Sequence, residues 1–287
     1  YNGEKTIEET VKSLLKQSYQ NFEIIACIDG SNDNSENILI SLHDPRIRII
    51  KNKNNLGLGR TLNRLVYATS SRTEFIAMAE QDDFYYESRI EKQVNVFKNH
   101  PKVGLISGIA EFFNGNEITG QFPGILINGN QYPQGKEMFM LNYINQVKVV
   151  NSCMMIRKSV HIDHGLYFTM HLPSISVDWT YVLRFCLVSD IYGLNEPLVR
   201  LRRSKDHSSL TSNREKVNAS TRELIRSMKY EYPTLIDNAT YKKSITTQDI
   251  FELKGVSKSK IPLKFFKAWI KNPFELKWFD LIKYYLK

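Results

Sequence analysis

The chain has 287 residues, 42% of them apolar and 24% charged, which suffices for one large α/β domain or a domain with a helical appendix. Most of its net charge of +9 lies from Lys254 onward, where nine lysines face only Glu275 and Asp280, and so nearly neutral a body argues against a nucleic-acid-binding surface there. No apolar run reaches the roughly 18 residues of a membrane span, no signal peptide opens the chain, and Cys27, Cys153 and Cys186 read as buried thiols of a reducing, cytoplasmic compartment.

Ile7, Val11, Leu14 and Leu15 share one face of an expected amphipathic helix after the turn Tyr1-Asn2-Gly3. Phe22–Ile28 is a continuous apolar run that suits a strand buried on both faces. It ends in the turn Asp29-Gly30-Ser31-Asn32-Asp33, before a helix over 36–42. A strand at 46–51, a loop with Gly57 and Gly59, and a helix through Asn63 and Tyr67 come next. A buried strand over 74–79 runs into Glu80-Gln81-Asp82-Asp83, followed by a helix over 88–97 and a strand over 103–109. This alternation predicts a mostly parallel, Rossmann-like sheet flanked by helices. Ligands bind beyond the carboxyl ends of such strands, where Asp29 and the 80–83 acids both fall. The second half is less regular: a long Gly-, Asn- and Pro-rich loop over 115–135, a strand over 147–157, and helices over 179–188 and 214–232.

Four motifs then stand in order: Tyr1-Asn2, Ile28 through Asp33, Asn55-Leu56-Gly57 with Arg60 and Asn63, and Glu80 through Asp83. They resemble the donor half of family-2 glycosyltransferases of the GT-A type. Val177-Asp178-Trp179 through Arg184 is similar to that family's acceptor-side helix. The resemblance covers residues 1–211, with a donor half over 1–110 and an acceptor half over 111–211. Residues 212–287 read as a helical appendix whose basic, aromatic tail spans 254–287. In three places the sequence departs from the family pattern. The family's first strand, which precedes Tyr-Asn, is missing, as in a truncated chain; Glu80 stands where Asp is usual; and Val177 replaces an acid, leaving one candidate base.

The resemblance implies a nucleotide-sugar donor, with uridine as its base. A diphosphate leaving group calls for a divalent cation, Mn2+ or Mg2+, held by one or two carboxylates. Asp82 is the expected ligand, and Glu80 the contact to ribose or metal-bound water; a solvated acidic turn is the alternative. Asp29 is read as a base or ribose contact or as a turn-former, Asp33 as a helix cap, and Arg60 as a phosphate contact or a surface arginine. Tyr1 and Asn2 join the donor-binding set. Asp178 is the candidate general base, or a helix cap. Arg202 and Arg203 are expected at the diphosphate, and His207 is a metal ligand or a surface histidine. The tail's lysines and aromatics suit an anionic membrane surface, or packing on its own domain.

The expectation is therefore a metal-dependent, inverting glycosyltransferase, peripheral on the inner face of the membrane. It would move a sugar to a glycan or lipid-linked acceptor in surface polysaccharide synthesis, and bind no nucleic acid. The alternatives are a sugar-phosphate nucleotidyltransferase, whose Gly-rich loop is not visible, a non-catalytic binding module, or a tail that binds nucleic acid.

Overall fold

In a computed structural model the described residues are 1–115, 117–122, 130–147, 149–170, 175–203 and 213–253, with 262, 265, 266, 269 and 270. Helix α1 (Ile7–Leu15) buries Val11 and Leu14 beside Thr10 and Ser13, as its apolar spacing requires. After it come β1 (Ile24–Asp29), α2 (Ser35–Ser41) and β2 (Ile47–Asn52). The two strands pair in parallel, with Asp29 opposite Asn52. Val11, Ile28 and Leu39 form the core between them and the helices. Ile24 to Cys27 are half-buried rather than buried on both faces, since β2 is the one strand paired with β1 among the described residues.

Helix α3 (Leu58–Ala68), strands β3 (Phe75–Ala77) and β4 (Phe84–Tyr85), helix α4 (Arg89–Asn99) and strand β5 (Val103–Asn114) follow. Next are β6 (Glu117–Phe122), α5 (Gly135–Asn145), β7 (Met155–Arg157), α6 (Lys158–Asp163), α7 (Val177–Cys186) and β8 (Asp190–Arg202). A second sheet has the order β3-β7-β5-β8-β4, and β6 pairs with β5. There β5 and β8 run parallel, but β3–β7, β5–β7, β4–β8 and β5–β6 are antiparallel. The sheet is thus mixed, where a mostly parallel one was expected. A parallel neighbour needs a crossover, whereas β5 turns straight back into β6 through Gly115 at φ 60°. That hairpin also replaces part of the expected 115–135 loop, while 123–129 lie outside the described residues.

The strand expected over 147–157 is reduced to β7, preceded by a 3-10 turn at Asn151–Cys153. Asn151 and Ser152 turn their side chains to acids rather than joining a ladder. Ile90, Val94 and Phe97 of α4 pack on Val103, Ile106 and Met155 beneath the sheet. Helix α7 is apolar nearly all round and is buried accordingly, Trp179, Val182, Leu183 and Phe185 included.

The chain divides into two compact units, Tyr1–Phe139 with Lys148–Ser209, and Met140–Val147 with Leu210–Lys287. The second contains α8 (Arg214–Glu231) and α9 (Asn238–Leu253). Asn213 caps α8 by accepting from Lys216 N. Arg222 joins α8 to Asp249 and Glu252 of α9, and Tyr143 donates to Ile225 O at 2.9 Å. No helix among the described residues is long and apolar enough to cross a membrane.

Candidate functional site

The turn after β3 is fixed from several sides. The Thr10 hydroxyl lies 2.8 Å from the carbonyl oxygens of both Gln81 and Asp83, and Glu80 N donates to Tyr85 Oη at 2.8 Å. Beneath it the fully buried Arg89 donates to the Met78 and Met154 carbonyls and stacks 4.7 Å above the Tyr85 ring. This brings carboxylate oxygens of Glu80, Asp82 and Asp83 within 4.8 Å of one another. Asn151 Nδ2 donates to Glu80 Oε1 at 2.8 Å, and the Ser152 hydroxyl donates to Asp83 Oδ2.

Burial, with like charge nearby, shows in two of the acidities. Burial pushes the Glu80 carboxyl up to about 7; the Asp82 and Asp178 charges add to this, and the Asn151 bond and Arg203 oppose it. Burial likewise holds Asp83 well above the usual carboxylate range, reinforced by Glu80 and Asp82. Three carboxylates gathered this closely are a fitting cradle for a hard divalent cation, which would offset their mutual repulsion.

Asp178 lies in the first turn of α7, and its charge reaches Glu80. The N-cap position is Ser176, in the left-handed region at φ 58°, with no side-chain cap bond of its own, and Asp178 is the second helical residue. Arg203, exposed after β8, is the cation whose field reaches Glu80 and Asp83. Its neighbour Arg202 pairs instead with Glu9 of α1 and lies 5.1 Å over the Phe113 ring. His207 lies outside the described residues.

The first motif is built differently. Asp29, only 6% exposed, accepts from Asn52 Nδ2 (2.7 Å), Leu56 N (2.8 Å) and Gly57 N (3.2 Å), and so shapes the loop that enters α3. Gly30 must be glycine: its φ is +67°, and a Cβ would sit 2.4 Å from Asn55 N. Asp33 accepts from Ser35 N and Glu4 N, covering the start of α2 just ahead of its cap residue Asn34. Tyr1 exchanges two hydrogen bonds with the Gln81 amide, and Asn2 Oδ1 accepts from Asn32 N, so residues 1–2 bridge the 31–35 loop and the acidic turn. Arg60 is exposed on α3.

Sequence reasoning missed Asn151, Ser152 and Arg89. The first two had a signal, since they form a polar pair inside the apolar run from Val149 to Ile156. Arg89, in an ordinary helix-start sequence, had none.

The profile of glycosyl transferase family 2 matches residues 1–165. EpsE of Bacillus subtilis is 31% identical over 179 residues, 58% of this chain and 63% of its own. WfgD of Escherichia coli, named a UDP-Glc:alpha-D-GlcNAc-diphosphoundecaprenol beta-1,3-glucosyltransferase, is 33% identical over 123 residues, 42% of this chain and 47% of its own. The chain therefore spans about half to two thirds of the length of these relatives. Among solved structures, S. aureus TarS in complex with UDP-GlcNAc superposes with a TM-score of 0.64 at 15% identity, covering 99% of this chain and 87% of that one. The fold is of the GT-A type, a mixed sheet flanked by helices.

Proposed function

The chain belongs to glycosyl transferase family 2, and from that premise we propose that it transfers a sugar, with inversion, from a UDP-linked donor to a glycan or lipid-linked acceptor in surface polysaccharide synthesis. The observation that carries this reading is the convergence of Glu80, Asp82 and Asp83 within 4.8 Å, with the Asp178 charge in reach of Glu80. The UDP-GlcNAc complex of TarS supports a uridine donor. The printed substrate of WfgD supports a lipid-linked acceptor. In this reading residues 1–211 carry the chemistry and residues 212–287 form the helical appendix.

Asp82, with Glu80 or Asp83 beside it, would hold Mn2+ or Mg2+. Such a cation supplies neutralisation of the negative charge that grows on the diphosphate. Tyr1, Asn2 and the Asp29 loop line up the nucleoside, Asp29 mainly through the backbone it shapes. Arg203 is the better placed arginine for the diphosphate, because Arg202 is engaged by Glu9. Asp178 takes the proton of the acceptor hydroxyl as its oxygen attacks the anomeric carbon, and the bond to the nucleoside diphosphate breaks on the opposite face.

The test is a panel of UDP-, GDP- and dTDP-sugars assayed for nucleotide release with Mn2+ and with EDTA. Release from a UDP-sugar that EDTA abolishes supports the reading. Tight UDP binding without turnover of any donor would leave a binding module instead.

The tail is proposed to hold the enzyme on an anionic membrane surface, at the cytoplasmic face. Most of residues 254–287 lie outside the described ones. Of those described, Phe265 is buried against Leu253 beside Trp269, whereas Phe266 and Ile270 are exposed. Part of the tail therefore packs on α9, and part turns apolar side chains outward. Truncation after Leu253 should lower binding to anionic liposomes as high salt does; binding that survives truncation would overturn the membrane role.

A further inference from the structure

Residues 166–170 run between α3 and α7 and are gripped from both. On the α3 side, Asn63 Nδ2 donates to Phe168 O and Asn63 Oδ1 accepts from Phe168 N, each at 2.8 Å. One turn earlier, Gly59 lies so close beneath the segment that a Cβ there would sit 1.9 Å from Thr169 O. On the α7 side, the Thr169 and Thr180 hydroxyls are 2.8 Å apart. Arg184 Nη1 donates to Thr169 Oγ1 at 3.0 Å and to Tyr167 O at 3.3 Å, its guanidinium 4.1 Å over the Tyr167 ring. Phe168 stacks on Tyr181 with ring centroids 4.0 Å apart. Thr169, Thr180 and Arg184 are all buried.

The ends of this chain of contacts are the two halves of the site. At one end the Asp29 carboxylate holds the loop that opens α3. At the other end Asp178 lies in the first turn of α7, two residues before Thr180. Filling the space beneath the segment would need only an apolar side chain. A side-chain amide that meets both polar atoms of one residue's backbone fixes register and distance as well.

We propose that Asn63 and Arg184 are positioning residues for the transfer: they pinch residues 166–170 between α3 and α7, and so hold Asp178 at its place beside the acidic turn. The proposal rests on the reading of Asp178 as the base. Neither residue touches the reacting atoms; each acts through the placement of α7. Misplacing a reacting group by about 1 Å costs on the order of 100-fold in rate.

The test uses the full chain and UDP release from whichever UDP-sugar it turns over fastest. Asn63→Ala should lower turnover about 10- to 100-fold, while the calorimetric affinity for UDP with Mn2+ stays within about two-fold of the parent. The decisive readout is non-additivity. On an Asp178→Asn background, Asn63→Ala should lower the residual rate less than about two-fold, because the group it positions is already gone. Arg184→Lys, which keeps the charge but not the fork of donors, should behave the same way.

Should Asn63→Ala not fold, Gly59→Ala serves instead. It deletes no side chain and favours the helix, yet must push the backbone at Thr169 away and so loosen the adjacent Asn63–Phe168 bonds, and should show the same loss and the same non-additivity. Full additivity on the Asp178→Asn background, or parent-like turnover of the Asn63 and Gly59 variants, overturns the clamp while the base reading stands. If Asp178→Asn itself turns over like the parent, the base reading falls and takes the clamp with it.

Discussion

Asp29 ends β1 and the Glu80–Asp83 turn lies just beyond β3, and their surroundings treat the negative charge in opposite ways. The Asp29 carboxylate is met by three donors from the facing strand β2 and the loop that follows it. Glu80 and Asp83 have one side-chain donor each, from Asn151 and Ser152, and burial first, then the neighbouring acids, raises both. A carboxylate surrounded by donors is a fastener, and its contribution is the loop shape it enforces. Carboxylates gathered against one another are incomplete without a cation. Two strand-end acids that look alike in sequence thus differ in kind.

Substitutions that keep the shape and remove the charge sharpen this contrast, and the largest effect belongs to neither region. Asp178→Asn should lower transfer by roughly two to four orders of magnitude with donor affinity little changed; equal turnover in a UDP-release assay would remove Asp178 as the base. Asp29→Asn should destabilise the fold by about 1–3 kcal/mol, because the new amide NH2 points at groups that are themselves donors. Glu80→Gln should act in the opposite direction, raising stability in EDTA by roughly 0.5–2 kcal/mol while weakening Mn2+ binding, the trade expected of a strained site. Thermal unfolding of the two variants side by side checks the signs, and the same sign for both would erase the distinction drawn here.

The order of elements in the first half was legible because helix-linked strands carry their own periodicity and turn residues. Asp82 and Asp178 could be singled out because each stands at the start or end of such an element. The character of Asp29 was not legible, since two of its three donors are the backbone N–H groups of Leu56 and Gly57, and backbone leaves no mark in sequence. The mixed sheet escaped for a related reason: the β5–β6 hairpin turns on Gly115 inside a stretch that reads as loop by composition. Arg202 and Arg203 are adjacent in sequence, yet one pairs with Glu9 and the other faces the acids. Arg202 ends β8 and Arg203 follows it, and only the fold shows which is which.

In the proposed mechanism the 80–83 acids, and not Asp29, hold the cation. Calorimetric titration of UDP with and without Mn2+ into the parent, Asp82→Asn and Asp29→Asn tests it most directly. Mn2+ should strengthen UDP binding in the parent and in any folded Asp29→Asn protein, and Asp82→Asn should lose the Mn2+-dependent part. Undiminished Mn2+-dependent binding in Asp82→Asn would contradict it.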